Sequence, residues 1–305
     1  MDIKKLKYFL AVVEAGSITA AARRIPVAQP ALTRQIRLLE ERVGARLFER
    51  DRKGVSLTRA GRFLYDHGRR LVAELDSVAK KTRAISDGYS DSLAIGITTI
   101  HPYIPSISSL ISRFRAQHPS IRLTLESMLS GPQRQAILDG GIDAGILFTE
   151  REEDPRLARL PIASYRMAVI VSRRHPLTEA SPTSLRAFAE APFIRFSRDS
   201  TPGSYDRVDR CFRRAGIVPN TVQECHDDIT IRSLVATGMG YAIMPSIMVR
   251  GESDLVAYEL EDLPITSQLM LAWRKESDSQ AVDALCRMLD APGDIMATPP
   301  EDRRA

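Results

Sequence analysis

The chain has 305 residues, 44% of them hydrophobic and 27% charged, a balance that excludes a disordered chain and contains no apolar run long enough to span a bilayer. At that length two or three folding units are expected rather than a single core. The net charge of +5 is unevenly held: residues 1–88 carry 19 Lys and Arg against 10 Asp and Glu, and the remainder 24 against 28, so only the amino-terminal part suits a polyanionic partner.

The start, Met1-Asp2-Ile3-Lys4-Lys5, leads into an amphipathic stretch and lacks the apolar core of a signal peptide, so a cytoplasmic location is expected. Leu6, Phe9, Leu10 and Val13 recur at helical spacing until Gly16, which frees the backbone to turn. Ser17 is placed to cap a second helix, in which Ala20-Ala21-Ala22 keeps one face small, and Pro26 breaks it. A third helix is predicted from about Gln29 to Val43, with Pro30 tolerated in its first turn. Leu32, Ile36 and Leu39 fall on one stripe of this helix; Pro30, Thr33, Arg34 and Arg37 cluster opposite. That polar face holds a guanidinium for guanine, an amide at Gln29 for adenine and a methyl at Thr33 for thymine. An ordinary solvated face carries the same residue types, so the helix alone leaves both readings open. Next, Leu47-Phe48-Glu49-Arg50 and Val55-Ser56-Leu57 read as two strands around the basic turn Arg52-Lys53-Gly54. Such a ribbon reaches backbone phosphates or the minor groove beside a helix-turn-helix.

These residues resemble the LysR-type transcriptional regulators. The resemblance rests on an ordered series: Phe9 to Ser17, Ala20 to Arg24, Gln29 to Ile36, Leu38-Leu39-Glu40, Gly44 to Arg50 and Leu57 to Gly61. It implies that Gln29, Pro30, Thr33 and Arg34 face bases, with Arg37, Arg52 and Lys53 nearer the backbone. Two positions depart from the family pattern: Pro26 stands where His is common, and Ala28 replaces the Ser that caps the recognition helix. Losing that cap costs about 1 kcal/mol.

From Thr58, a second N-cap, one long helix is predicted to about Ser86. Leu64, Gly68, Leu71, Leu75, Val78, Thr82 and Ile85 follow in alternating steps of four and three, the seam of a coiled coil; a helix packed on its own domain is the alternative. The resemblance implies dimerisation through Leu64, Leu71, Leu75 and Val78, assembly to a homotetramer, contact with RNA polymerase and an interrupted inverted repeat in promoter DNA.

Past the polar break at Asp87 to Asp91, strands and helices alternate: strands at 93–98, 121–125 and 142–148, then at 166–171, 193–197, 221–225 and 241–244. Regular alternation predicts a mostly parallel sheet in each of two similar halves. These resemble the type 2 periplasmic-binding-protein fold of the family's effector domain, with Gly141 to Gly145 and Gly238 to Pro245 as matching motifs. The expected architecture is therefore an α/β multidomain chain: a winged helix-turn-helix over 1–58, a linker and dimerisation helix over 59–88, and an effector-binding domain over 89–291. Within the last, subdomain I is expected at about 89–163 and 268–291 and subdomain II at about 164–267, followed by a disordered tail, 292–305. Ligands in open α/β sheets lie beyond the carboxyl ends of strands. That rule brings forward Thr98, Thr99 and His101, then Ser130, then Ser197, Thr201 and Tyr205, whose hydroxyls at helix starts suit a small anion such as an organic acid.

Three other functions compete with this reading. His226-Asp227-Asp228 beside Cys225 hints at an enzyme or metal site, but adjacent residues point in different directions and no GxSxG, HExxH, P-loop or GxGxxG accompanies them, so no catalytic or metal-binding residue and no cofactor is expected. A transport solute-binding protein needs a signal peptide and no DNA-binding arm. A redox-responsive regulator using Cys211 and Cys225 is the remaining alternative; the third cysteine is Cys286, and no CxxC spacing occurs.

Overall fold

The computed structural model describes residues 2–51, 54–149, 154–249 and 253–290. The basic turn residues Arg52 and Lys53 and the tail 292–305 lie outside them. Contacts divide the chain into two compact units, Met1–Arg83 with Asp139–Gly141, and Ala84–Leu138 with Ile142–Ala305.

The first unit starts with α1 (Ile3–Ala15), α2 (Ile18–Arg24) and α3 (Gln29–Val43). Gly16 ends α1 at φ 68°, a left-handed conformation that favours glycine. The Ser17 hydroxyl accepts from the Ala20 N–H at 3.0 Å and so caps α2. Leu32, Ile36 and Leu39 of α3 are buried against Leu6, Phe9, Leu10 and Val12 of α1 and Ala21 of α2, each large side chain contributing about 1.5–3 kcal/mol by leaving water. Strands β1 (Phe48–Asp51) and β2 (Gly54–Leu57) form an antiparallel ribbon pairing Phe48 with Leu57 and Asp51 with Gly54.

Helix α4 (Arg59–Ser86) follows. Thr58 holds its start: the hydroxyl accepts from the Gly61 N–H at 2.9 Å and donates to the Arg46 carbonyl at 2.7 Å. Its apolar stripe changes surroundings along its length. Leu64 packs on the α1–α3 core, and Gly68 lies so close to Leu6 that a Cβ would come within 2.8 Å of its Cδ1. One turn on, Leu71, Leu75, Val78 and Ile85 are exposed.

The second unit is built on two sheets that share one strand. Its elements are β3 (Asp91–Ile97), α5 (Pro105–Gln117), β4 (Ile121–Ser127), α6 (Ser130–Asp139), β5 (Ala144–Thr149), β6 (Leu157–Ser172), β7 (Pro192–Phe196), α7 (Pro202–Ala215), β8 (Asn220–Cys225), α8 (Asp228–Ala236), β9 (Ala242–Pro245), β10 (Leu255–Tyr258), β11 (Thr266–Arg274) and α9 (Gln280–Asp290). One sheet runs β4-β3-β5-β11-β6; in the other β6 pairs with β9 and β10, and a bridge from Phe193 to Tyr241 brings in β7 and β8. β6 pairs with β11 from Leu157 to Arg166, then with β9 and β10 from Met167 onward.

The mostly parallel sheet expected from the alternation is corrected here. β3 pairs in parallel with β4 and β5, and β7 with β8, but β11 lies antiparallel between β5 and β6 in the first sheet, and β6 meets β9 and β10 antiparallel in the second. The reason is the crossover: a strand that leaves one sheet to build the next returns through β11 without an intervening helix. Pro161, within β6, has no N–H for a ladder, and the register shifts beside its partner Met270. Separate cores fill the two halves, one under β3, β5 and α5, the others around β6, β7 and α8.

Candidate nucleic-acid interface and ligand cleft

On α3 the two faces are physically distinct. Leu32 and Leu39 are 0% exposed, whereas Gln29, Pro30, Arg34 and Arg37 are exposed and Thr33 is half-buried. The Thr33 hydroxyl donates to the Gln29 carbonyl at 3.0 Å, which leaves its methyl and lone pairs as what it presents. Ala28, the residue before the helix, makes no side-chain cap, so the first-turn N–H groups lack that acceptor. Glu40, not singled out from the sequence, links helix and ribbon: its Oε1 accepts from the N–H groups of Leu47 at 2.7 Å and Phe48 at 3.3 Å. The ribbon's root is thereby fixed against α3. Exposed cations on one side and a sealed apolar stripe on the other make a surface suited to a groove lined with phosphates.

The loops expected to line a ligand cleft come from both halves of the second unit. Beyond β3, Thr98 is 2% exposed and His101 0%. The Thr98 N–H donates to His101 Nδ1 at 3.1 Å, so the neutral ring carries its proton on Nε2. Burial pushes this histidine down to about 3. Its ring lies 5.4 Å from that of Phe148, and the Phe148 N–H donates to the Ser130 hydroxyl at the start of α6. A Cβ on the next residue, Gly131, would lie 3.4 Å from the Ser200 carbonyl oxygen, in the other half.

There the hydroxyls of Ser197 and Ser200 are 2.7 Å apart, and both meet His226 Nδ1, at 2.9 and 3.1 Å. Asp227 caps α8 by accepting from the Thr230 N–H at 2.7 Å. Asp228, 3% exposed, closes the circuit, because the hydroxyls of Thr98 and Thr99 and the N–H of Ile100 favour its charged form across the cleft. Their pull is outweighed by burial, and Asp227 adds repulsion, so the carboxyl rises to about 6. The two threonine hydroxyls do not close to full bonding geometry. Thr98 Oγ1, Thr99 Oγ1, His101 Nε2, Thr201 Oγ1 and Asp228 Oδ2 are all buried without a hydrogen-bond partner, and each such group costs about 1–3 kcal/mol.

Of the ligand residues predicted from sequence, Thr98, Thr99, His101, Ser130 and Ser197 lie along this circuit, and Thr201 stands at the start of α7 with a buried, unpartnered hydroxyl. Tyr205 is used differently: its ring is covered by the Arg195 guanidinium at 3.4 Å, which in turn donates to Asp209. His226 and Asp228 were missed, although they follow β8 as Thr98 follows β3; the strand-end rule reaches them. Cys211 and Cys225 sit in different core clusters as free thiols, and burial raises both away from the thiolate form. The redox alternative is not favoured. Among the described residues no helix is long and apolar enough to cross a membrane.

Known proteins resemble the chain in both of these regions. Residues 3–62 match the model for the bacterial regulatory helix-turn-helix protein of the lysR family, and residues 86–292 that for the LysR substrate binding domain. The HTH-type transcriptional regulator TfdS of Cupriavidus pinatubonensis is 32% identical over 81% of this chain and 83% of its own. BudR of Raoultella terrigena, another such regulator, is 29% identical over 94% of this chain and 100% of its own. The crystal structure of full-length CbnR complexed with its target DNA superposes with a TM-score of 0.60 at 25% identity, covering 95% of this chain and 99% of that one.

Proposed function

The chain belongs to the LysR family of bacterial transcriptional regulators, and on that premise we propose that α3 reads an operator while the cleft of the second unit receives the small molecule that governs transcription. It is a DNA-binding transcription regulator with an effector-binding domain. The proposed domains are the winged helix-turn-helix over 1–58, the linker helix over 59–88 and the effector domain over 89–291.

In this reading Gln29, Pro30, Thr33 and Arg34 meet base edges, and Arg37, Arg52 and Lys53 meet phosphates. The exposed apolar stripe of α4, Leu71, Leu75, Val78 and Ile85, pairs two protomers; Leu64 seats the helix on its own domain. A dimer carries two copies of α3, so the operator is an interrupted inverted repeat with half-sites on one face of the duplex. Homotetramers, as a pair of such dimers, and contact with RNA polymerase complete the proposal. The effector binds among Thr98, Thr99, His101, Ser130, Ser197 and Thr201, with Tyr205 held behind them by Arg195. No catalytic role is assigned to any residue, and the location is cytoplasmic.

The observation that carries the reading is the division of α3 into a sealed apolar stripe and an exposed face bearing Gln29, Arg34 and Arg37. Footprinting on the DNA upstream of its own gene, across a salt series, tests it. Two protected half-sites about one helical turn apart, or a multiple of that, are expected, with protection that weakens steeply as salt rises. Equal affinity for every random competitor duplex overturns it.

A further inference from the structure

The cleft's acceptor is as telling as its donors. Thr98 and Thr99 supply hydroxyls and the neutral His101 an Nε2–H, donors that suit a carboxylate. Opposite them, within reach of the same two threonines, stands Asp228, 3% exposed and with an oxygen that has no partner. Asp228 forms no ion pair with a described residue. A plain organic acid placed here meets a second negative group at close range, an arrangement that buried sites resist. An acidic residue in the first turn of α8 is favoured by the helix dipole at the surface too, so helix stability alone gives no reason to bury it facing the other half of the unit.

Resting on the reading that this cleft is the effector site, we propose that the effector is a zwitterion of the α-amino-acid class, its protonated amine on Asp228 and its carboxylate on the hydroxyls of Thr98 and Thr99 and the Nε2–H of His101. The arrangement suits that class because amine and carboxylate are attached to one carbon, and here the acceptor and the two nearest donors are neighbours. A solute lacking the amine leaves Asp228 without a partner. One lacking the carboxylate leaves the donors so. Either loss is the kind of mismatch that polar sites reject most strongly.

The test uses the full chain and isothermal titration with the twenty proteinogenic amino acids, each against its 2-hydroxy acid and its des-amino acid. At least one amino acid is expected to bind, with both analogues of that amino acid weaker by about 100-fold or more. Asp228→Asn, checked for folding by thermal melt, is expected to narrow that ratio to within about 5-fold, and Thr99→Val to weaken every ligand of the series. Binding of an analogue as tight as that of its amino acid, lost in Thr99→Val, overturns the amine requirement and leaves the cleft as the effector site. Amino-acid binding indifferent to both variants overturns the cleft reading and this inference with it. Failure of all twenty to bind at millimolar concentration overturns the inference.

Discussion

On α3 the side chains offered to a ligand, Gln29, Arg34 and Arg37, stand in solvent, whereas Thr98, His101 and Asp228 of the cleft are at most 3% exposed. Water already satisfies the first group, so these side chains cost the folded state little and act through charge that the duplex exchanges for counterions. The second group has given up water and leaves Thr98 Oγ1, His101 Nε2 and Asp228 Oδ2 without partners. A surface reader of this kind can be altered without touching stability. A cleft of this kind holds its specificity at the expense of the fold, and a ligand restores what burial removed.

Arg34→Ala breaks the comparison on its exposed side and carries the largest expected effect. A bidentate guanidinium–guanine pair is worth about 1–3 kcal/mol, and two helices per dimer make the loss of operator affinity roughly 30-fold or more. Random DNA is expected to bind nearly as before, and the melting temperature to stay within the range of a neutral surface change, about 0.5 kcal/mol. Anisotropy titrations of operator and scrambled duplexes decide the matter; equal loss on both assigns Arg34 to phosphate.

Asp228→Asn sharpens the buried side, where the effect falls on stability. The folded carboxyl titrates at about 6 against an ordinary value of 3.8, so the folded state holds its proton more tightly. Stability therefore falls as pH rises from about 4 to about 6, and the full penalty persists above. The amide removes that penalty: at pH 8 without ligand the variant is expected to be more stable by up to about 3 kcal/mol, and at pH 4 by almost nothing. Urea titrations at the two pH values measure it. Equal stability of both proteins at pH 8 means that the carboxylate is better served in the folded state than its surroundings indicate.

The same contrast decides what the sequence made legible. The bounds of α3, the Gly16 turn and the Ser17 cap were readable because each rests on neighbours three or four residues away. The first half of β6 was not: Leu157 to Tyr165 includes Arg159 and Pro161 and shows no strand period, and only its pairing with β11 makes it extended. In the cleft, position after a strand was readable but direction was not. His226, Asp227 and Asp228 are consecutive, yet one bonds Ser197 and Ser200, one caps α8 and one is buried against the other half. The setting of Tyr205 was unreadable for the same reason, since nothing local announces that Arg195 of β7 covers its ring.

The smallest effect tests whether the exposed site is free of cost throughout. Ala28 has an extended backbone, φ −61° and ψ 136°, and its carbonyl accepts the first helical bond, from Leu32 at 3.0 Å. Geometry at this position is thus already that of a capping residue, and only the side-chain acceptor is missing. Pro30 has no N–H, so a serine here has the Ala31 N–H to receive, as Ser17 receives that of Ala20 at the same spacing. Ala28→Ser is expected to stabilise the free protein by about 1 kcal/mol. If a DNA phosphate occupies that N–H in the complex, the serine competes with it, and operator affinity stays level or falls by up to about 5-fold while the melting temperature rises. Parallel gains in both would mean that fraying of α3, and not an unmet N–H awaiting phosphate, limits binding.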